Sequence, residues 1–316
     1  MTKAGTPGRW PVWLFGSCSD QGPGSGREGR LSLGLAAAAA LLLGLAAAAQ
    51  QRAASAQPPH RPLSVLLVWG LLRDRAWLLA VALMVLAYGL QAAALGEGEL
   101  ALVEPILSGY LVVALVAGAV IARRLLTLGE LAAAVGASSG IAIFLVQLSP
   151  GRGARSAPGQ SWAEILTVLA LVLLAALPLV WRASGSSRAV LLGALAGITL
   201  GASDALTKQT IAVVATHRLG SLATWEPYLL LVVGALGFLL QQSAYHAGPL
   251  RSGLPALSIL EPVAGTLFGL LAFHESMAPG ASPWLLLAAV ALMVWGVQRL
   301  ARSELVATRS RAPLDG

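Results

Sequence analysis

Nine apolar runs of about twenty residues follow one another along this chain, roughly at 31–51, 76–96, 100–122, 129–149, 162–182, 189–215, 227–246, 252–274 and 282–301. About twenty residues at 1.5 Å each match the roughly 30 Å of a bilayer's hydrocarbon layer. A chain crossing that layer must satisfy its backbone hydrogen bonds within itself, and for runs of this length the helix does so. The sequence therefore predicts an all-α polytopic membrane protein with nine transmembrane helices. Composition agrees: 57% of residues are hydrophobic and 11% charged, against about 25% charged in soluble domains.

The remaining segments sort around these runs. Residues 1–30 are rich in Gly, Pro and Ser and read as a disordered tail. Ala54-Ser55-Ala56 looks like a signal-peptide cleavage site, but the apolar run before it exceeds the usual 7–15 residues. The run at 31–51 is therefore counted as a span. Pro62 to Leu72 is apolar but only 11 residues long and reads as an interfacial helix; if it crosses, the spans number ten. Residues 31–301 form one transmembrane domain and 302–316 a C-terminal tail.

Lys and Arg concentrate in cytoplasmic loops, so their distribution orients the chain. Nine spans place thirteen of them on one side, in the 52–75 loop, the later connections and the C-terminal tail, against seven on the other. The C-terminus is expected in the cytoplasm and the N-terminus outside a plasma membrane; ten spans would put both ends inside. The net charge of +7 lies mainly between the apolar runs, a loop pattern and not a nucleic-acid surface. Expected partners are the bilayer, a small-molecule or ion substrate, and a second copy of the chain; no cofactor is expected. Cys18 is the single cysteine, which excludes an internal disulfide and thiolate metal sites.

Two spans hold a carboxylate followed by proline, Glu104-Pro105 and Glu261-Pro262. A charged side chain at a span's centre costs about 2.5–3.5 kcal/mol on insertion scales, and proline removes a backbone donor. The two pairs stand 157 positions apart in a chain of 316. At that interval Ala36, Ala40 and Gly44 fall on Gly193, Gly197 and Gly201, and Gln51 falls on Lys208. Small residues four apart let membrane helices approach closely. Tyr88-Gly-Leu-Gln91 resembles Phe238-Leu-Leu-Gln241 at an interval of 150, and Gly140 matches Gly296 at 156. The halves read as repeats over about 31–149 and 189–301, linked by a helix at 162–182. The second repeat starts five spans after the first; an odd number predicts inverted topology, the arrangement that supports alternating access.

A family resemblance rests on the same residues. The span ending Gln50-Gln51-Arg52, the loop Leu71-Leu72-Arg73-Asp74-Arg75-Ala76-Trp77, Leu102-Val103-Glu104-Pro105 and Ser258-Ile259-Leu260-Glu261-Pro262 resemble the drug/metabolite transporter superfamily. Nine spans in a 4+1+4 order are similar to its NIPA-like magnesium-transporter branch more than to the ten-span EamA-like branch. The resemblance covers about residues 31–301 and implies a plasma-membrane transporter with a central cavity between two inverted repeats. Where NIPA-like proteins commonly have Thr before the repeated proline, this chain has Glu104 and Glu261.

Several residues are candidates for binding. Glu261 lies ten residues past Arg251, about 15 Å along a helix and near mid-membrane. With Gly253, Pro255, Pro262 and Gly265 around it, its span is expected to be broken. Glu261 then reads either as a proton or cation carboxylate on a cavity wall or as the cap of a half-helix. Glu104 has the same two readings nearer the interface. Asp204 and Lys208, four apart, suit an ion pair on one helix face, structural or open to substrate competition. Gln91, Gln241 and Gln242 offer hydrogen bonds to a substrate or to neighbouring helices. Trp77, Trp162, Trp181, Trp225 and Trp284 fall near span ends, as interfacial residues do.

Enzyme signals are weak. His60, His217, His246 and His274 show no metal-ligand spacing. Gly201-Ala-Ser203-Asp204 lacks the last glycine of a nucleophile elbow, and no phosphate-binding glycine loop is present. The sequence supports a secondary transporter for a small metabolite, amino acid or drug-like solute. The alternative is a Mg²⁺ carrier with Glu104, Asp204 and Glu261 as hard oxygen ligands. A scaffold that moves nothing would not need charges at matching places in two repeats.

Overall fold

The computed structural model of the protein describes residues 25–58, 65–97, 103, 106–148, 157–217, 221, 223–273 and 282–309. These residues hold ten helices in the order α1 (Ser25–Ser55), α2 (Val65–Leu71), α3 (Arg75–Glu97), α4 (Tyr110–Ile121), α5 (Leu128–Leu148), α6 (Gly159–Arg182), α7 (Gly185–His217), α8 (Glu226–Ala247), α9 (Leu250–Phe273) and α10 (Pro283–Arg309). The chain is a polytopic helical membrane protein. Seven helices, α1 and α5 to α10, hold stretches long and apolar enough to cross a bilayer; Arg75–Gln91 and Tyr110–Ile121 are shorter apolar helices.

The helices fall where the apolar runs stand, with three differences. The first begins at Ser25, inside the segment read as a tail, and α10 runs to Arg309, past the expected end at 301. Residues 1–24 and 310–316, and with them most of the N-terminal tail and the end of the C-terminal one, lie outside the described residues. Among the described residues of the Pro62–Leu72 stretch, Val65–Leu71 form the seven-residue α2, with Leu67 and Leu71 buried in the main core. Of Ala54-Ser55-Ala56, the first two residues end α1: Ala54 is buried, with its carbonyl 2.7 Å from Nδ1 of His246, and Ser55 and Ala56 are exposed.

The third difference concerns α9, which was expected to break around Glu261-Pro262. It is one continuous helix with Pro255 and Pro262 inside it. Backbone groups freed by proline in a membrane helix can be covered by Ser and Thr hydroxyls and by neighbouring helices. The carbonyls left without an N–H donor by Pro255 and Pro262 are those of Arg251 and Ser258; Ser258 Oγ donates to Leu254 O and Thr266 Oγ1 to Pro262 O, both at 2.8 Å, as ordinary four-residue bonds along the helix. The face of α7 that carries Gly193, Gly197 and Gly201 also presses on the α9 backbone. A Cβ on Gly193 would run into Gly253 O, one on Gly197 would meet Leu257 O at 2.7 Å, and one on Gly201 would meet Glu261 O at 2.5 Å. Both helices advance four residues per contact, so they run parallel.

Local signals explain several ends. Asp74 caps α3 through Oδ1, which accepts from Ala76 N at 2.8 Å and Trp77 N at 3.3 Å. Pro283 stands at the first position of α10, where its missing N–H is harmless. The α4 helix closes with Arg123 in the left-handed region at φ 51°, while Arg124 N donates to Ala119 O and Arg123 N to Val120 O. These two bonds make a Schellman closure with arginine where glycine is usual.

The packing has two matching groups. Helix α1 packs on α3 and α4, α7 packs on α8 and α9, and α5 packs on α10. The α5–α10 seam is reciprocal. A Cβ on Gly140 would meet Ala289 O at 2.8 Å and Met293 Cγ at 2.9 Å; one on Gly296 would meet Ala137 Cβ at 2.7 Å and Ala133 O at 2.8 Å. Numbers rise along one helix as they fall along the other, so α5 and α10 are antiparallel.

Candidate functional site

A cavity of about 540 Å³ lies among seven of these helices. The wall is formed by Leu43, Ala46, Ala47 and Gln50 of α1, and Met84, Tyr88 and Gln91 of α3. It continues through Leu107, Ser108 and Tyr110 at the start of α4, and Ile141 and Leu145 of α5. The second half supplies Leu200 and Asp204 of α7, Gly234, Phe238, Gln241 and Tyr245 of α8, and Leu254, Leu257, Ser258, Glu261 and Pro262 of α9. The volume falls within the roughly 300–1,000 Å³ of small-molecule sites, which combine apolar walls with a few placed polar groups.

The cavity gathers four of the candidates, Gln91, Asp204, Gln241 and Glu261. Glu261 sits twelve residues into an unbroken helix that begins at Leu250, so the half-helix cap reading fails for it. Tyr88, Tyr110 and Tyr245 line the same cavity as Glu261 and Asp204. Asp204 Oδ2 lies 3.8 Å from where a Cβ on Gly265 would stand. That glycine is one turn beyond Glu261, or about 6 Å along the axis. The two carboxylates thus occupy one side of the cavity on parallel helices.

Lys208 and Gln242 are not wall residues. The Lys208 ammonium lies 4.2 Å over the Phe273 ring, one turn beyond Asp204 on α7, a cation–π placement. Gln242 is fully buried and joins helices: Trp77 Nε1 donates to its Oε1 at 3.1 Å, and its Nε2 donates to Gln50 Oε1 at 2.8 Å. Gln50 Nε2 in turn reaches Met84 Sδ at 3.4 Å. Glu104 lies outside the described residues. Among the described residues no three His, Cys, Asp or Glu side chains gather closely enough to hold a metal ion.

Sequence reasoning passed over the tyrosines and Ser258. Tyr110 OH and Ser258 Oγ are 2.5 Å apart. The serine proton goes to Leu254 O, so the tyrosine is the donor. Gln241 Nε2 donates to Tyr245 OH at 3.2 Å. These groups lie in apolar runs, where tyrosine and serine read as ordinary span residues.

A second overlooked residue is Glu130, 4% exposed. Its carboxylate accepts from Arg124 Nη1 at 3.0 and 3.1 Å and from Arg251 Nη1 at 3.0 Å. Thr127 N donates to Glu130 Oε2 at 3.0 Å, and Glu130 N donates to Thr127 Oγ1 at 3.2 Å. The Thr-x-x-Glu spacing is a capping box, so a sequence signal did exist. The network ties the start of α5 to the start of α9. At the same end of the bundle, Gln51 Nε2 reaches Gly248 O at 3.4 Å and His246 reaches Ala54 O.

No family model matches the chain, and no solved structure matches it. A protein of Corynebacterium glutamicum described as uncharacterized is 28% identical over 229 residues, covering 72% of this chain and 79% of that protein.

Proposed function

We propose that the protein is a secondary transporter of a small solute, working by alternating access between two inverted repeats of four spans linked by α6. The observation that carries this reading is the make-up of the cavity wall. Five pairs of wall residues stand at the intervals that align the two halves of the sequence. Leu43 pairs with Leu200 and Ala47 with Asp204 at 157; Met84 pairs with Gly234, Tyr88 with Phe238 and Gln91 with Gln241 at 150. A cavity walled by matching positions lies on the axis relating the halves, where one site can face either side in turn. No residue of α6 appears in this wall.

The α5–α10 seam supports the inverted arrangement. At an interval of 156, Gly140 corresponds to Gly296, Ala133 to Ala289 and Ala137 to Met293, and each glycine packs on the counterparts of the other's neighbours. Reciprocal contacts of this kind are those of a two-fold axis. Because the two helices are antiparallel, that axis is perpendicular to them and lies in the membrane plane. This reading counts α3 and α4 as spans, which gives nine, and resembles the drug/metabolite transporter plan.

The Lys and Arg bias places the α1–α2 and α8–α9 connections and the C-terminus in the cytoplasm of a plasma-membrane protein. The contacts of Gln50, Gln51, His246 and Arg251 across the two halves then close the cytoplasmic end of the cavity. Single cysteines placed in the 52–75 loop and in the 150–160 connection are expected to label from opposite faces of the membrane. Labelling from the same face would overturn the nine-span arrangement.

The functional test uses purified protein in liposomes, screened for uptake and efflux of metabolites, drug-like solutes and Mg²⁺. With a transported solute in hand, Glu261→Gln should abolish transport driven by a proton gradient, because it removes the titrating group while keeping the shape. Exchange at equal concentrations should persist. An unchanged pH profile in Glu261→Gln would remove the coupling role.

A further inference from the structure

We infer that the protein holds the phosphate group of an anionic phospholipid in a second cavity, of about 170 Å³, between the ends of α1 and α4 and the start of α9. Among the described residues none lines both this cavity and the central one. Binding there needs only that the chain sits in a bilayer and is independent of the transport reading.

The polar part of the wall is Gln51, Arg52, Ser55, Arg124 and Arg251, with no carboxylate among the described lining residues. Glu130 stands behind it and accepts from Nη1 of both Arg124 and Arg251. Three guanidinium groups against that one carboxylate leave an excess of positive charge at a partly enclosed place. Arg124 and Arg251 keep their bonds to Glu130. Arg52 is exposed and, among the described residues, pairs with no carboxylate. The start of α9 also reaches the cavity, at Pro249 and Leu250, and a helix start adds about half a positive charge. The carbonyl ends of α1 and α4 oppose this, but Arg123 N and Arg124 N close two of those on α4. An anion is the ligand that such a wall receives, and a guanidinium fork matches the oxygens of a phosphate.

Size and surroundings identify the rest of the ligand. At about 30 Å³ per water the space equals roughly six waters, below the roughly 300–1,000 Å³ of sites that enclose a whole small molecule. A phosphate group fits, and whatever carries it must lie outside. Outside, the surface is apolar. On α1, Leu41 and Leu45 are exposed, and Arg52, eleven residues past Leu41, returns to within about 20° of the same face. On α4, Val116 and Val120 are exposed one turn apart. Two apolar stripes that face lipid thus lead up to the guanidinium groups. Acyl chains lying along them bring a phosphodiester to the cavity mouth, and basic pockets between membrane helices hold acidic headgroups in this way.

The test uses the full chain purified in detergent, with melting temperature and lipid retained in native mass spectrometry as readouts. The probes are phosphatidylglycerol, phosphatidylcholine with the same acyl chains, the matching diacylglycerol, and inorganic phosphate. Phosphatidylglycerol should raise the melting temperature and be retained in preference to the other three, with the preference falling as salt is added. Arg52→Gln should weaken phosphatidylglycerol binding about fivefold, the worth of one arginine beside an anionic headgroup. It should leave the melting temperature in phosphatidylcholine unchanged, since Arg52 is exposed. Arg182→Gln, at the exposed end of α6 and outside the cavity, is the control and should keep the full preference. If Arg52→Gln fails to fold, the four-probe comparison on the unaltered protein decides.

Equal retention of phosphatidylglycerol and phosphatidylcholine would overturn the inference. So would a preference that survives Arg52→Gln, or one that Arg182→Gln weakens as much. An equal effect from inorganic phosphate would overturn it too, by assigning the cavity to a water-soluble anion.

Discussion

Gly197→Leu is expected to yield no folded, monodisperse protein. At this position the α7 and α9 backbones leave no room for a side chain. A Cβ alone would stand 2.7 Å from Leu257 O, 2.9 Å from Glu261 N and 3.0 Å from Leu260 Cβ. Two of these three atoms are backbone and cannot swing aside, so the helices themselves would have to separate. The neighbouring contacts at Gly193 and Gly201 are as tight, and separation at the middle one opens all three. Even Gly197→Ala should cost about 1–3 kcal/mol, the usual range for overpacking. Gly89→Leu is the control, since nothing lies within 4 Å of a Cβ there. The readout is size-exclusion profile and melting temperature in detergent. A Gly197→Leu protein as well behaved as Gly89→Leu would show that the α7–α9 crossing is looser than described.

Glu130→Ala carries the second large effect. The carboxylate is shared by two guanidinium groups, Arg124 with its side chain 33% exposed and Arg251 with its side chain 13% exposed. Removing one partner of a buried ion pair typically costs about 3–5 kcal/mol, because the remaining charge stays buried without its counter-charge. The lower end, about 3 kcal/mol, applies here, since Arg124 reaches water. The change also removes the bond from Thr127 N to the carboxylate, worth about 1 kcal/mol, while the bond from the residue-130 N–H to Thr127 Oγ1 stays. Adding Arg251→Met should recover part of the loss, since the worse-placed charge goes with it. Thermal unfolding of the single and double variants checks this. A double variant no more stable than Glu130→Ala would mean that Arg251 is hydrated and the pair contributes little.

How legible this molecule was from its sequence varies by element. Long apolar runs fixed the helices because crossing a bilayer is decided by length and apolarity, both local properties. The small residues at 193, 197 and 201 declared a close crossing, and the structure supplies the partner, which spacing alone could not name. Gln91, Gln241, Asp204 and Glu261 stood out as polar groups in apolar text, and all four reach the cavity. The unbroken α9 was misjudged for the opposite reason. Whether a helix stays unbroken at a proline depends on the neighbours packed around it, here α7 against the α9 backbone, and that is a tertiary property with no local trace. Tyr88, Tyr110 and Tyr245 were missed because a tyrosine in a span looks like packing until its hydroxyl is seen to share a cavity with a carboxylate. Glu130 announced itself as a cap, while its pairing with Arg251, 121 positions away, had no local trace.

On the proposal that the protein rocks between two states, the reciprocal seam between α5 and α10 has an energetic consequence. If the halves trade conformations in the swing, a contact centred on their common axis is carried onto itself. It is then equally good at both ends of the stroke and serves as an axle. Contacts away from that axis would have no such immunity: under the proposal the Arg251–Glu130 bond and the Gln50–Gln242 bond belong to one end of the stroke. Under the proposal the seam would set how firmly the bundle holds together, while the off-axis bonds would set which way the cavity faces at rest.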